Sequence, residues 1–371
     1  VSAMSGETNR LVGLINALNP QGPAREKDVV LSTGEQVTIG LLSLALDSLG
    51  CPAKSYTGQQ ARVITDSAFS KARIRQIDDT KMREDLAEGK VVVVAGFQGV
   101  DAGGNITTLG RGGSDTTAVA LAVALKADEC QIYTDVDGVF TTDPRIAPEA
   151  VRVERISHDA MLELAAMGAK VLQTRSVEYA KAKGVTLRVK SSFLPAGQSA
   201  GTEVTPEAEI GEKRIVSGVA YVRDQARLSI HGGEGPQAAE LLFAALGEAD
   251  VDVDMIVQAR ARSGGSVVEC SVAGRDLPRA LAAAEAAARP NGLDVRSETG
   301  LAKVSVVGTG LRGRADVART LYGVLAREGI AVRMTATSEI KISALVDADY
   351  LEHAVRALHA AYRLGSAPSK A

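Results

Sequence analysis

RGGSDTTAVALAVALKA, running from Arg111 to Ala127, joins a glycine loop, a cation and an acid directly to a helix that is apolar on nearly every side. A helix of that kind must sit between other layers, and its neighbours supply them. VVVVAGF (Val91 to Phe97) and QIYTDV (Gln131 to Val136) read as strands, with helices from about Gly6, from Gly34, after Asp115 and around Met161. VVVV is apolar on both faces, as a strand sandwiched between helices has to be. Alternating helices and strands of this kind imply an α/β sheet. The mouth of the helix is also where an anion would bind, because its first amides are unpaired and the macrodipole is positive there. A carboxylate or phosphate facing Arg111 would be held by several donors together. The alternative is structural: Ser114 or Asp115 caps a buried helix and Arg111 is a surface charge.

A chain of 371 residues exceeds one ordinary core, so two or three domains are expected, and 45% hydrophobic content suffices to bury them. The net charge of −3 argues against a general nucleic-acid binder. No apolar run approaches the roughly 18 to 20 residues that cross a bilayer, so no membrane span is expected and a cytoplasmic location fits best. Cys51, Cys130 and Cys270 are far apart without CxxC spacing, and His158, His231, His353 and His359 form no ligand motif, so neither a disulfide framework nor a metal site is expected. The chain opens on Val1 with what reads as the tail of a strand, which suggests an N-terminal truncation.

After Phe193 the segment LPAGQSAGTEVTPEAEIGEKR loses periodicity and marks a domain boundary. Beyond it the chain repeats a β-α-β-β-α order twice. Leu246, Val251, Val253 and Met255 correspond to Leu325, Ile330, Val332 and Met334 at one constant offset, so two similar α+β modules of ferredoxin-like type are expected. Such modules are either ligand-binding or purely structural.

Three further segments carry chemistry-bearing residues. TDVDGVFTTDPR (Thr134 to Arg145) comes after a strand; it fails as a calcium loop, since the twelfth position from Asp135 is Ile146, but is well placed for a nucleotide, or else is a plain turn. LSTGEQVTIG supplies Glu35 near a helix start, where Ser32 and Glu35 also fit a capping box. MGAKVLQTRSVEYA places Lys170 after a glycine, where a solvated lysine is the plain alternative. Neither GxxxxGK[ST] nor GxGxxG occurs.

Taken in order, SAMSGETNRL, STGEQVTI, VVVVAGFQG, TTLGRGGSDTTA, IYTDVDGVFTTDPR, MGAKVLQ and the closing TSEIKIS closely resemble aspartate kinases of the lysine- and threonine-sensitive bacterial type. The resemblance implies an α/β amino-acid-kinase catalytic domain over residues 1–208, its sheet sandwiched by helices, and then two ferredoxin-like ACT domains over 209–298 and 299–371. It implies ATP, Mg²⁺ and L-aspartate as reactants, with 4-phospho-L-aspartate as product. Lysine and threonine would be effectors, and the ACT domains would join a homo-oligomer. By the family pattern Arg111 and Gly112 would take the substrate α-carboxylate, Glu35 its ammonium, and Ser114 and Asp115 the reacting centre, with Ser2 and Thr8 bordering the site. Thr134, Asp135, Phe140, Asp143, Arg145 and Lys170 match nucleotide-side positions; Met255, Gln258, Ser338 and Glu339 match effector positions. The departures are an absent first-strand lysine, which would leave this chain inactive, a short GEGPQ loop, and Ala331 where threonine-responsive members commonly carry asparagine. A kinase for glutamate, N-acetylglutamate, carbamate or UMP on the same scaffold, and a non-catalytic amino-acid sensor, are the rival functions.

Overall fold

The computed structural model describes residues 1–166, 171–195, 197–206, 215–233, 237–260 and 265–366. Two compact units emerge. Residues 1–138 and 154–165 with the described part of 171–206 form the first; residues 139–153 with the described residues from 215 onward form the second.

The first unit runs α1 (Glu7–Leu18), α2 (Ala24–Ser48), β1 (Ala53–Tyr56), β2 (Val63–Thr65), β3 (Ile74–Ile77), α3 (Thr80–Ala87), β4 (Val91–Val94), β5 (Gln98–Val100), β6 (Ile106–Thr108), α4 (Gly113–Leu125), β7 (Cys130–Thr134), β8 (Arg155–Ser157), α5 (His158–Ala166), α6 (Thr174–Lys183), β9 (Leu187–Ser191) and β10 (Thr202–Thr205). β1 pairs with β4 in parallel, β7 and β9 are parallel, and β2, β3, β5 and β6 form a mixed sheet. The VVVV strand serves two helix layers as expected. Val93 and Ala95 pack with Ile39 of α2, while Val94 joins Met82 of α3 in a cluster bordered by Leu121 and Leu125 of α4. Fully burying each such side chain is worth roughly 1.5–3 kcal/mol.

α2 overturns two sequence expectations. It begins at Ala24 behind Pro23, not near Gly34, so Ser32 lies mid-helix and no capping box forms: Ser32 Oγ donates to the Val29 carbonyl, 2.9 Å away. Glycines at 34 and 40 and several hydroxyls hid the helix, whose stability comes from its packed inner face rather than from propensity. The same helix is also long and apolar enough to cross a membrane by length and composition, contrary to the expectation of no such segment. Its small polar residues break up any continuous apolar run, and its buried face carries Asp28, Ser32 and Glu35.

The second unit runs β11 (Val216–Gly232), α7 (Gln237–Glu248), β12 (Ile256–Arg260), β13 (Ser266–Ala273), α8 (Leu277–Ala288), β14 (Asp294–Gly308), α9 (Ala315–Arg327), β15 (Val332–Thr337), β16 (Lys341–Asp347) and α10 (Leu351–Ala361). One antiparallel sheet joins them in the order β12-β13-β11-β14-β16-β15. β11 and β14 are long because each serves both repeats. Residues 225–231 of β11 pair with β13 and with 294–301, whereas 216–222 pair with 303–308. The second repeat therefore takes one strand from ahead of the first, so a single cut in sequence does not separate the two.

Residues 139–153 also depart from sequence order. Ile146 is buried in the core with Val219, Leu358 and Leu364, and the Thr141 carbonyl accepts from Val219 N–H at 2.8 Å. Thr141 Oγ1 and His359 Nε2 lie 2.9 Å apart in the buried interior of the unit. The segment carrying Phe140, Asp143 and Arg145 is thus part of the second unit's core.

Candidate active site

Three segments of the first unit meet around a cavity of about 310 Å³: the opening residues, α2, and the loop from β6 into α4. Its walls include Ser2, Thr8, Glu35, Arg111, Gly112, Ser114 and Asp115, together with Phe97 and Gln173, which the sequence had not singled out. Each arrives there for a local reason. Gly34 has no side chain, and a Cβ at that position would fall 2.9 Å from Ala3 Cβ, so the opening segment lies directly on α2. That closeness lets Ala3 N–H donate to Glu35 Oε1 at 3.0 Å. Glu35 is 3% exposed and its other oxygen, Oε2, has no partner among the described residues. Burial pushes its carboxyl above the usual range, with the Ala3 hydrogen bond opposing. A buried carboxylate that lines a cavity and has one oxygen without a partner among the described residues is suited to receive a cation.

Elsewhere on the lining, Gly112 caps α4 at φ +69° and no side chain performs that task, so the alternative in which Ser114 or Asp115 is a cap does not hold. The first turn of α4 borders the cavity at Gly113, Ser114 and Asp115; Gly113 N–H donates to the Gly110 carbonyl at 3.0 Å, and the next amides are ones a helix cannot pair with its own carbonyls. Arg111 is exposed and forms no ion pair among the described residues. Asp115 is pushed upward by burial, with the Gln173 backbone N–H pulling the other way. The lining thus combines a buried carboxyl group with a guanidinium beside a helix N-terminus, a matched pair for a zwitterion.

Glycine is required at position 112: besides the left-handed φ, a Cβ there would collide with Cβ and Cγ of Gln173. Gly112→Ala is expected to weaken binding of an amino acid in this cavity by about tenfold and to lower the melting temperature by several degrees. A binding titration and a thermal melt check this.

The remaining predicted positions lie elsewhere. Thr134 ends β7, its hydroxyl 3.2 Å from Asp135 Oδ1. Phe140, Asp143 and Arg145 belong to the second unit, where Arg145 clasps Asp143 through Nε at 3.0 Å and Nη2 at 2.8 Å, Tyr221 donates to Asp143 Oδ2 at 2.8 Å, and the Asp143 carboxyl is held down to about 2. Lys170 lies outside the described residues. Gln258 lines a separate cavity of about 660 Å³ with Gln237, Arg260 and Ser266. Met255 is buried with Leu301, Met334 and Leu345. Ser338 Oγ accepts from Ile340 and Lys341 N–H, and the exposed Glu339 pairs with Arg312 at 3.0 Å. No three His, Cys, Asp or Glu side chains converge on a metal-sized space among the described residues.

Residues 1–191 match the amino acid kinase family and residues 304–362 an ACT domain. The chain is 53% identical over 374 residues to an aspartokinase of Pseudomonas aeruginosa, covering 100% of this chain and 90% of that protein. Among solved structures it is similar to E. coli aspartokinase III in complex with aspartate and ADP (R-state), with TM-score 0.76, 28% identity, and 95% of this chain and 79% of that one covered. The lysine and aspartate complex of the same protein (T-state) gives TM-score 0.73 at 28% identity, over 95% and 80% of the two chains.

Proposed function

Since the chain belongs to the aspartokinases, within the amino acid kinase family, we propose that it moves the γ-phosphoryl group of ATP to the side-chain carboxylate of L-aspartate, giving ADP and 4-phospho-L-aspartate. The observation that supports this most is that one cavity is lined by Glu35 and by Arg111 with the α4 N-terminus. Glu35 takes the ammonium, for which its unpartnered Oε2 is suited. Arg111 takes the α-carboxylate, since a planar guanidinium can serve both oxygens. Together they distinguish an α-amino acid from a simple dicarboxylate.

The third group of the substrate, its side-chain carboxylate, has an unperturbed pKa of about 3.9 and is a nucleophile at neutral pH without a general base. One of its oxygens forms the new bond to the γ-phosphorus while the bond to the ADP oxygen breaks, and ADP leaves with the electron pair; no proton moves. Catalysis then rests on positioning and charge neutralisation. Ser114 and Asp115, on the first turn of α4, organise the reacting end. Mg²⁺, bound with the nucleotide, would neutralise its phosphate oxygens. Thr134, Asp135, Phe140, Asp143, Arg145 and Lys170 are assigned to the nucleotide from the sequence pattern.

The proposed setting is the cytoplasmic first step toward lysine, threonine, methionine and diaminopimelate. Control falls to end-product amino acids at the ACT modules, lysine foremost and threonine second, in a homo-oligomer joined through those modules; Gln258, Met255, Ser338 and Glu339 are the proposed effector positions. The catalytic residues are assigned to 1–208 and the regulatory pair to 209–371, whose two modules exchange a strand and so are not divided by one boundary at 298. The full-length protein, given ATP, Mg²⁺ and L-aspartate, should yield an acyl phosphate that hydroxylamine converts to a hydroxamate. Turnover of glutamate, N-acetylglutamate, carbamate or UMP without any aspartyl hydroxamate would overturn the assignment. Heat from lysine or threonine with none from nucleotide would instead indicate a sensor.

A further inference from the structure

We propose that Asp28 and Arg175 are positioning residues for this reaction, fixing the loop that carries Arg111 relative to the helix that carries Glu35; the proposal rests on the amino-acid cavity described above. Asp28 lies on α2 two turns ahead of Glu35 and is fully buried. Its Oδ2 accepts the backbone N–H groups of Ser70 and Thr108, each at 2.8 Å, and its Oδ1 accepts their hydroxyls at 3.0 and 2.8 Å. Arg175 on α6 does the converse, donating Nη1 to the Leu109 carbonyl at 2.6 Å and Nη2 to the Ala72 carbonyl at 2.7 Å.

Between them the backbone just before Arg111 is fully engaged. Thr108 N–H goes to Asp28, the Thr108 carbonyl accepts from Ala72 N–H at 2.9 Å, Leu109 N–H goes to the Phe97 carbonyl at 2.9 Å, and the Leu109 carbonyl goes to Arg175. Gly110 then turns at φ +77° with the Ser70 carbonyl oxygen 2.9 Å from where a Cβ would stand, and Arg111 comes next. Neither Asp28 nor Arg175 lines the cavity, so both act through the loop. Burying a carboxylate without a cation is costly, and only a charged acceptor offers enough lone pairs for four donors at once. A staple for the fold alone could join any two elements; this one ties the ammonium-binding helix to the carboxylate-binding loop. A misplacement of roughly 1 Å between such groups can cost on the order of 100-fold in rate.

The test uses the full-length protein with Asp28→Ala, Asp28→Asn, Thr108→Val and Arg175→Met, measuring both KM values, the ratio of affinities for L-aspartate and succinate, and the melting temperature. Asp28→Ala should raise the KM for L-aspartate at least about tenfold, leave that for ATP within about twofold, and narrow the aspartate-to-succinate ratio. Asp28→Asn should restore most of the loss, because its carbonyl can accept both N–H groups while its amide donates to the hydroxyls. A folded Asp28→Ala protein with an unchanged KM for aspartate, or with both KM values raised equally, would overturn the proposal. Should Asp28→Ala fail to fold, Thr108→Val and Arg175→Met decide it by the same split between substrates. Arg111→Ala is run alongside. If it too leaves the aspartate KM unchanged, the cavity assignment fails and this proposal with it; if only the Asp28 and Arg175 variants are silent, the proposal alone fails.

Discussion

Replacing Arg111 with alanine is expected to raise the KM for L-aspartate by about 30- to 150-fold while leaving the KM for ATP within about twofold. The magnitude corresponds to losing a charge-assisted, two-pronged contact worth roughly 2–3 kcal/mol. Removing it deprives ground state and transition state alike of the α-carboxylate contact, so kcat should fall less than the affinity. The fold should be undisturbed, because Arg111 is exposed and holds no ion pair among the described residues. Arg111→Lys should recover only part of the loss, since an ammonium cannot reproduce the planar fork. Equal damage to both substrates would remove Arg111 from the α-carboxylate role.

The second large effect concerns Glu35, where affinity and stability should move in opposite directions. Glu35→Gln keeps an acceptor for Ala3 N–H and removes the buried charge, so the aspartate KM should rise by roughly 30-fold, about 2 kcal/mol. Because burial raises the Glu35 pKa in the folded protein above its ordinary 4.5, the stability linked to its protonation is full below that ordinary value and is lost as pH rises through the raised one. At neutral pH the ligand-free protein therefore bears a buried charge that the Ala3 hydrogen bond compensates only in part, and Glu35→Gln should melt at a higher temperature than the parent. L-Aspartate should stabilise the parent strongly and the variant little. Acidification from neutrality should weaken aspartate binding in the parent as Glu35 takes up its proton, ahead of the ordinary carboxylate range, and the variant should lack that step. Melting curves and affinities across pH check both signs.

Arg111, Ser114, Asp115 and Glu35, which the structure brings to one cavity, stood out in sequence because they sit in short contiguous motifs whose chemistry is local. RGGSD carries its own helix mouth, and Glu35 its own charge. What sequence missed is set by long-range contacts. Asp28 bonds to Ser70 and Thr108, 42 and 80 positions away, so nothing around it advertises a role. Ser32 and Glu35 fit a capping pattern that only the true start of α2 at Ala24 excludes. Gly34 reads as the start of a helix, yet it lies well inside one, at the point where Ala3 packs against it. The repeat after residue 208 was evident from its constant offset. The exchange of strands was not, since pairing 216–222 with 303–308 depends on β11 being long enough to serve two repeats. Likewise the acidic loop after β7 gave no sign that Ile146 would enter the second unit's core.

The central claim is that one cavity reads both charged ends of an amino acid, and calorimetric titration of L-aspartate and succinate into the parent and Glu35→Gln proteins addresses it most directly. Succinate lacks only the ammonium. The account predicts that the parent prefers aspartate strongly and that Glu35→Gln nearly abolishes the preference, by weakening aspartate while leaving succinate as tight or tighter. An aspartate preference that survives Glu35→Gln undiminished would contradict it.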